Sequence, residues 1–570
     1  MSSSLPILAL SLAGLALAAE PRQAAWSSKA FGPDGPWNAV EVSIGSQPKI
    51  ALFPGRMFHT YVTTSDYCAL NTSVSHCASG TYLKDKITTS SARGISWKPP
   101  TQLLSAGIET RGTANMYLET IDIPVQAGAE PGIVTVRNHS IALIESESQM
   151  YAYPDGTLYP IFTGCLSVGS PDPQQVFTGG GGSGTDVNAS MIPWALESAG
   201  TTASSSFGLH YGSAGASAKM SGSLLFGGYD RNRVVGSILS LDADLRNPAT
   251  LQDISLHVIK GASPFPPSTT STASPSTITG LLAQGDSTTT TTNGGAAGTL
   301  PVILDPCSPY LTLPKSTCDA IAAHLPVTYN ASLGLYLWNT TSPRYRLLTT
   351  AATTLAFTLM GTSNTQSLTI HVPLPHLTGL TLAPPFTALP APYFPCFTGG
   401  VKSQGWPSYA LGRAFFQDAF LGANWERGVA WLAQAPGPNI PAGLDVVSVA
   451  AGDEAIAAGG NDWERSWDGV WKGLTEGDVE GLVEEVEGGG EGGGGDGTAR
   501  TGAGGLSTGA IVGIGVGAAV VGAVLVGAAG LILWRRRKAG PQVTGMAPPP
   551  VPKRMAADAL TTQEYLRKKF

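Results

Sequence analysis

Charge is scarce in this chain. Of 570 residues only 13% are Asp, Glu, Lys or Arg, about half the share usual in a globular domain. A surface so poor in charge, with Ser, Thr and Gly in its place, belongs outside the cytosol. No basic face stands out in the part that reads as folded, which excludes nucleic acid as an expected partner. There is no CxxC and no Cys/His spacing of the kind that holds zinc, so no metal and no cofactor are expected. Long helical patterns are few. No Lys or Arg precedes the apolar run at the amino terminus.

That run is nevertheless the strongest signal at its end of the chain. Residues 1–18, with an apolar core from Leu5 to Ala18 and small residues at Ala16-Leu17-Ala18, read as a signal peptide. A second run, Gly509 to Trp534, carries no charge and is followed at once by Arg535-Arg536-Arg537-Lys538. It is long enough to cross a hydrocarbon core of roughly 30 Å. The basic cluster marks the cytosolic side. The expected topology is type I: an extracellular or lumenal portion, one span at 509–534 and a basic tail at 535–570. The plasma membrane is favoured over an internal one, and the membrane is the one partner this pattern names. The net charge of −7 is unevenly spread, with thirteen acids against two bases in Gly452–Gly497 and nine bases against two acids in Arg535–Phe570.

Six cysteines, Cys68, Cys77, Cys165, Cys307, Cys318 and Cys396, lie between the two apolar runs. An even number in an exported chain suggests disulfides. The short loop from Cys68 to Cys77 is the one pairing expected, and the rest stay open among the fifteen arrangements that six cysteines allow. Sequons at Asn71, Asn138, Asn188, Asn330 and Asn339 fit a glycosylated exterior.

From about Pro36 to Ala435 the chain reads as short β-segments cut by Gly, Pro and Ser, such as "PGIVTVRNHSIALI", "GSLLFGGY", "VVGSILSL" and "QSLTIHVPL". Helix is expected at "KSTCDAIAAHL" and "GRAFFQDAFLG", with a shorter turn at "MIPWALESAG". Two low-complexity stretches, "VFTGGGGSGTDV" and the Ser/Thr/Pro-rich 262–298, read as surface insertions. Residues 436–508 read as an acidic, Gly-rich stalk that does not pack. Trp463, Trp467 and Trp471 recur every four residues within it, a helical stripe expected to dock on the chain's own ectodomain or to lie in disordered chain, ahead of the alternative of a partner-binding helix.

Three stretches together resemble the pepsin-like aspartic peptidases in their fungal, membrane-anchored form. The first is Ser206-Phe207-Gly208-Leu209 followed by Gly222 to Arg233, "GSLLFGGYDRNR". The second is Tyr409 to Ala435, "YALGRAFFQDAFLGANWERGVAWLAQA". The third is "LPVILDPCSPYLTLPKSTCDAI". They fall in the family's order within the roughly 400 residues from Pro36 to Ala435. The resemblance implies a mainly β, two-lobed fold, with a first lobe over 19–240 and a second over 241–435.

The family's chemistry needs two carboxylates facing each other, one ionised and one protonated, each on an Asp-Thr/Ser-Gly turn. In the second lobe Asp305 stands, but Pro306 and Cys307 follow it. In the first lobe the acid position, counted back from Tyr61-Val62, falls on Pro54, with Gly55 and Arg56 after it. Proline has no proton to exchange, and Arg56 brings a cation. Asp66 is the only acid nearby and reads as an exposed turn residue. The family's Tyr-Gly flap has no counterpart before "YLETIDI". Asp305 is then a remnant, read as a turn residue bonding its own backbone.

The expectation is a pseudoprotease whose cleft binds extended peptide or glycan. Its alternatives are an active surface endopeptidase, or a single-pass sensor or adhesion protein. Oligomeric state is not legible.

Overall fold

The two turns singled out above are carried by two β-arrangements of the same plan. The computed structural model describes residues 19–482 except 71–76, 87–92, 96–97, 100–105, 128–129, 178–185, 216–218, 268–273, 284–297, 364 and 401–408. In the first half, strand Ile50–Met57 carries Pro54 and Thr60–Thr63 returns from it. Cys165–Gly169 lies between them, parallel to the first and antiparallel to the second. In the second half, Leu300–Leu304 leads into Asp305 and Leu311–Thr312 returns. Ala410–Leu411 lies between them with the same two senses. Each return strand also runs parallel to a further strand: Thr60–Thr63 to the end of Glu130–Ile144, and Leu311–Thr312 to Cys396–Phe397. Parallel pairs are normally buried on both faces, and Cys165–Gly169 is buried at all five positions.

The halves are sewn together by the end of the chain. Ala419–Asn424 pairs on one side with Ser206–His210 and on the other with Val429–Gln434, which pairs in turn with Val235–Asp242. Successive side chains of a strand point to opposite faces, and both faces are filled here. Leu421 and Ala423 join the main core. Phe420 joins a smaller cluster with Tyr229, Val234, Trp431 and Val449 on the other side.

The expected helices form at Ile192–Ser198 and Lys315–Ala322. "GRAFFQDAFLG" departs from expectation. Only Arg413–Phe416 is helical, and the chain becomes strand at Ala419–Asn424, because that segment has two β-partners waiting on either side.

Residues 436–482 correct the expectation of an unpacked stalk over 436–508. Val446–Ser448 pairs antiparallel with Gly228–Asp230. Asn424 Nδ2 donates to the carbonyls of Ala450, Ala451 and Asp453. The Tyr229 hydroxyl donates to the Ala457 carbonyl and accepts from its N–H. Further on, Trp467 is only 1% exposed and Leu474 bonds through its carbonyl to Ala262 N–H. The composition is rich in Gly and acid, yet a few well-spaced apolar anchors each find a place on the body, and those anchors decide the outcome. The three tryptophans meet without a long helix. Arg465–Trp467 is one 3-10 turn, and Gly469, at φ +77°, turns the chain so that Trp467 and Trp471 stack at 4.8 Å.

The Ser/Thr/Pro-rich insertion also packs in part. Thr277–Ile278 pairs with Ala249–Val258, and Phe265 and Leu281 are buried, against the expectation that 262–298 buries no apolar face. Among the described residues no helix is long and apolar enough to cross a membrane. The leader at 1–18, the span at 509–534 and the tail at 535–570 lie outside the described residues.

Candidate functional site

Asp305 follows directly on a buried strand and is itself 1% exposed. Its Oδ1 accepts from the N–H of Cys307 at 3.1 Å, the local turn bond expected of a residue before proline. Its Oδ2 accepts from the N–H of Ala106 at 2.7 Å, 199 residues away. The backbone is held as well: Asp305 N–H donates to Leu411 O, and Asp305 O accepts from Ser308 N–H.

The opposite turn brings no carboxylate. Pro54 pairs with Leu166 on the neighbouring strand. Gly55 adopts φ +117°, and a side-chain carbon there would lie 2.7 Å from Pro306 Cβ. The turns of the two halves therefore touch directly, glycine against proline. The side chain of Arg56 lies outside the described residues.

A different cation sits in this neighbourhood. Arg413, 3% exposed, donates from Nη1 to Cys307 O at 2.5 Å and lies 3.8 Å over the Phe53 ring. Its counter-charge is Asp34, whose Oδ2 is 4.0 Å from Nη2. Burial pushes the Asp34 carboxyl above the usual carboxylate range, while Arg413 and a 3.0 Å hydrogen bond from Trp37 Nε1 pull it back. Tyrosines complete the seam: the hydroxyls of Tyr153 and Tyr310 meet at 2.8 Å, and the Tyr393 hydroxyl donates to Asp34 O.

The segment Ala106–Ile108 lies against Asp305 and Thr312. Besides the Ala106 bond, Gly107 O accepts from Thr312 Oγ1 at 2.9 Å. A side-chain carbon on Gly107, at φ +78°, would lie 2.8 Å from both Ala410 Cβ and Thr312 Oγ1, and Ile108 is 1% exposed. Where the resemblance implied a covering flap with a tyrosine, the chain lays down a short backbone segment instead.

Three disulfides form. Cys68–Cys77 is the expected one. Cys318–Cys396 and Cys165–Cys307 settle the pairings that the sequence left open. Asp66 is exposed, as read, but stands in the short helix Ser65–Ala69 capped by Thr64. Of the sequons, Asn138, Asn188 and Asn339 are exposed, Asn330 is half-buried with its Oδ1 accepting from Leu333 N–H, and Asn71 lies outside the described residues. Among the described residues no group of three or more His, Cys, Asp or Glu is placed to hold a metal ion.

Sequence reading missed Arg413, Asp34 and Ala106. The first had a signal: a lone charge inside the apolar run "YALGRAFF" calls for a buried partner. Ala106 had none, because its contribution is a backbone N–H.

No protein-family description matches the chain, and no curated protein does. Among solved structures, the chain is similar to the aspartic proteinase from Irpex lacteus. The identity is 15% over 72% of this chain and 98% of that one, with a TM-score of 0.40. A likeness of this size carries nothing about chemistry, which rests on the residues above.

Proposed function

We propose that this is a pepsin-like, two-lobed protein that has lost peptidase catalysis, an aspartic-peptidase-like pseudoenzyme held at a membrane by 509–534. The repeated strand plan around residues 54 and 305 supports the two-lobed reading. The observation that carries the loss of catalysis is the glycine-on-proline contact. Gly55 packs on Pro306, and Pro54 stands just before it, at the position where the mechanism needs a second carboxylate close to the first. Asp305 meanwhile spends both oxygens on backbone N–H groups. The active-peptidase alternative keeps one candidate for a second acid, the buried Asp34, but its carboxylate is engaged by Trp37 and Arg413.

The test is acid proteolysis by the full chain in detergent, on a denatured protein substrate from pH 3 to 6. Asp305→Ala and Asp34→Asn proteins and a pepstatin-type inhibitor run beside it. The expected result is no cleavage in any arm. Cleavage that the inhibitor blocks and Asp305→Ala abolishes overturns the proposal, and its loss in Asp34→Asn as well would name the second acid.

A further inference from the structure

Two of the three disulfides are local to one half. Cys68–Cys77 spans 9 residues and Cys318–Cys396 spans 78. Cys165–Cys307 is different in kind. It spans 142 residues and joins a first-half strand to the residue two places after Asp305. Its Cα atoms are 6.1 Å apart, within the ordinary span for the bond. Cys165 is 0% exposed and Cys307 2%. The Cys307 side chain lies in an apolar cluster of the first half, with Tyr61, Tyr67 and Ile161. The second-half turn is thus plugged into the first half and bonded there.

The same turn seats a first-half segment. Ala106 N–H is seated on Asp305, and Gly107 O on Thr312, so whatever reaches Asp305 Oδ2 competes with Ala106 N–H. The bond two residues along holds the Asp305 turn against the first half, and with it the seat of Ala106–Ile108.

We propose that Cys165–Cys307 is a lock on the seat of Ala106–Ile108 at Asp305. While the bond is formed, Ala106–Ile108 stays seated on the Asp305 turn, and thiol–disulfide exchange with a dithiol frees it. The inference rests on the reading of the Asp305 turn as a site that has kept its shape and lost its catalysis. In the exchange, one thiolate of the dithiol attacks a cysteine sulfur and the protein S–S bond breaks. The released cysteine thiolate takes a proton. The second thiol of the dithiol then resolves the mixed disulfide, leaving two cysteine thiols and an oxidised, cyclic dithiol. Two electrons pass from the dithiol to the protein. Because both sulfurs are buried, exchange waits on a transient opening and follows that of the half-exposed Cys68–Cys77.

The test is carboxyl labelling with a carbodiimide and glycine ethyl ester, read by peptide mass spectrometry. It compares the oxidised full chain in detergent with a Cys165→Ser/Cys307→Ser protein, and with the wild type treated with dithiothreitol in case the variant does not fold. Asp418, 0% exposed, reports general unfolding. The expected result is a Cys165–Cys307 crosslinked peptide in the oxidised chain, and Asp305 labelling at least about tenfold faster once the bond is gone, with Asp418 unlabelled. Four outcomes overturn the proposal: no such crosslinked peptide, equal Asp305 labelling with and without the bond, rapid Asp305 labelling in the oxidised chain, or Asp418 labelling together with Asp305. The last would make the bond a structural staple. None of these readouts depends on proteolysis, so the lock and the loss of catalysis fail independently.

Discussion

A guanidinium does not give up its proton inside a protein, so Arg413 is a full positive charge at 3% exposure. Its compensation includes the Cys307 carbonyl, the faces of Phe53 and Trp37 and, at 4.0 Å, Asp34. Arg413→Met keeps most of the volume and removes the charge, leaving Asp34 buried without its cation. Breaking a buried pair in this way costs about 3–5 kcal/mol, read as a lower urea midpoint. Adding Asp34→Asn should recover part of that loss, because the orphaned carboxylate goes too. A double variant no more stable than Arg413→Met alone would mean that the pair is not coupled. At this scale the sequence was legible where a turn is local. Asp305 bonds its own turn, as its following proline suggested. The contact of Gly55 with Pro306 was not legible, since the two lie far apart in the chain. Arg413, Asp34 and Ala106 were not legible, because each acts on a partner far away in the chain.

Between residues and the whole stand the elements, and here His139 shows how a strand is pinned. Its Nδ1–H donates to Ser190 O, which leaves Nε2 to accept from the Thr60 hydroxyl, whose oxygen accepts from Ser167 N–H. Three strands meet on one neutral ring. Burial lowers His139 from 6.5 to about 4, with the Ser190 bond opposing. Between those values the unfolded chain holds a proton that the folded chain lacks, so stability falls as pH drops from 6.5 toward 4 and levels off below. The contribution is about 3 kcal/mol at full effect. Burial raises Asp34 and Asp418, which works in the opposite direction, so the measurement is a difference. His139→Gln should lose less stability than wild type between pH 7 and 4.5 in urea unfolding, and an equal loss would assign the acid sensitivity elsewhere.

The 436–482 strap invites a second test. Trp467 stacks on Trp471 and lies 5.0 Å from the His376 ring. Removing a buried tryptophan costs about 3–5 kcal/mol, enough to loosen the strap around that anchor. Trp467→Ala should let a protease cut between Ala435 and Leu482 under native conditions while the rest of the body stays intact. Resistance equal to wild type would show that the other anchors suffice. Strand alternation was legible in "VVGSILSL" and "QSLTIHVPL", because period two survives averaging. The strap was not, since its anchors are single residues diluted by glycine and acid.

At the scale of the molecule, the joins between the halves include the shared sheet, the Tyr153–Tyr310 and Arg413 seam, and Cys165–Cys307. In the chain-entropy account, closing 142 residues removes about 5 kcal/mol of freedom from the unfolded chain. The repeated strand plan was legible only in outline. The two turns share almost no residues, and the likeness lies in how strands pair, a property of backbones.

The shared sheet also has a calendar. Ser206–His210 cannot find its partner until Ala419–Asn424 has been made, roughly 200 residues later, which at usual synthesis rates is some 10–40 seconds. For that interval a buried strand of the first half is an open edge on a nascent chain. The first half therefore cannot mature by itself as it emerges. It has to be shielded until Ala419–Asn424 arrives, so a premature stop before residue 419 leaves an aggregation-prone fragment instead of a smaller working domain.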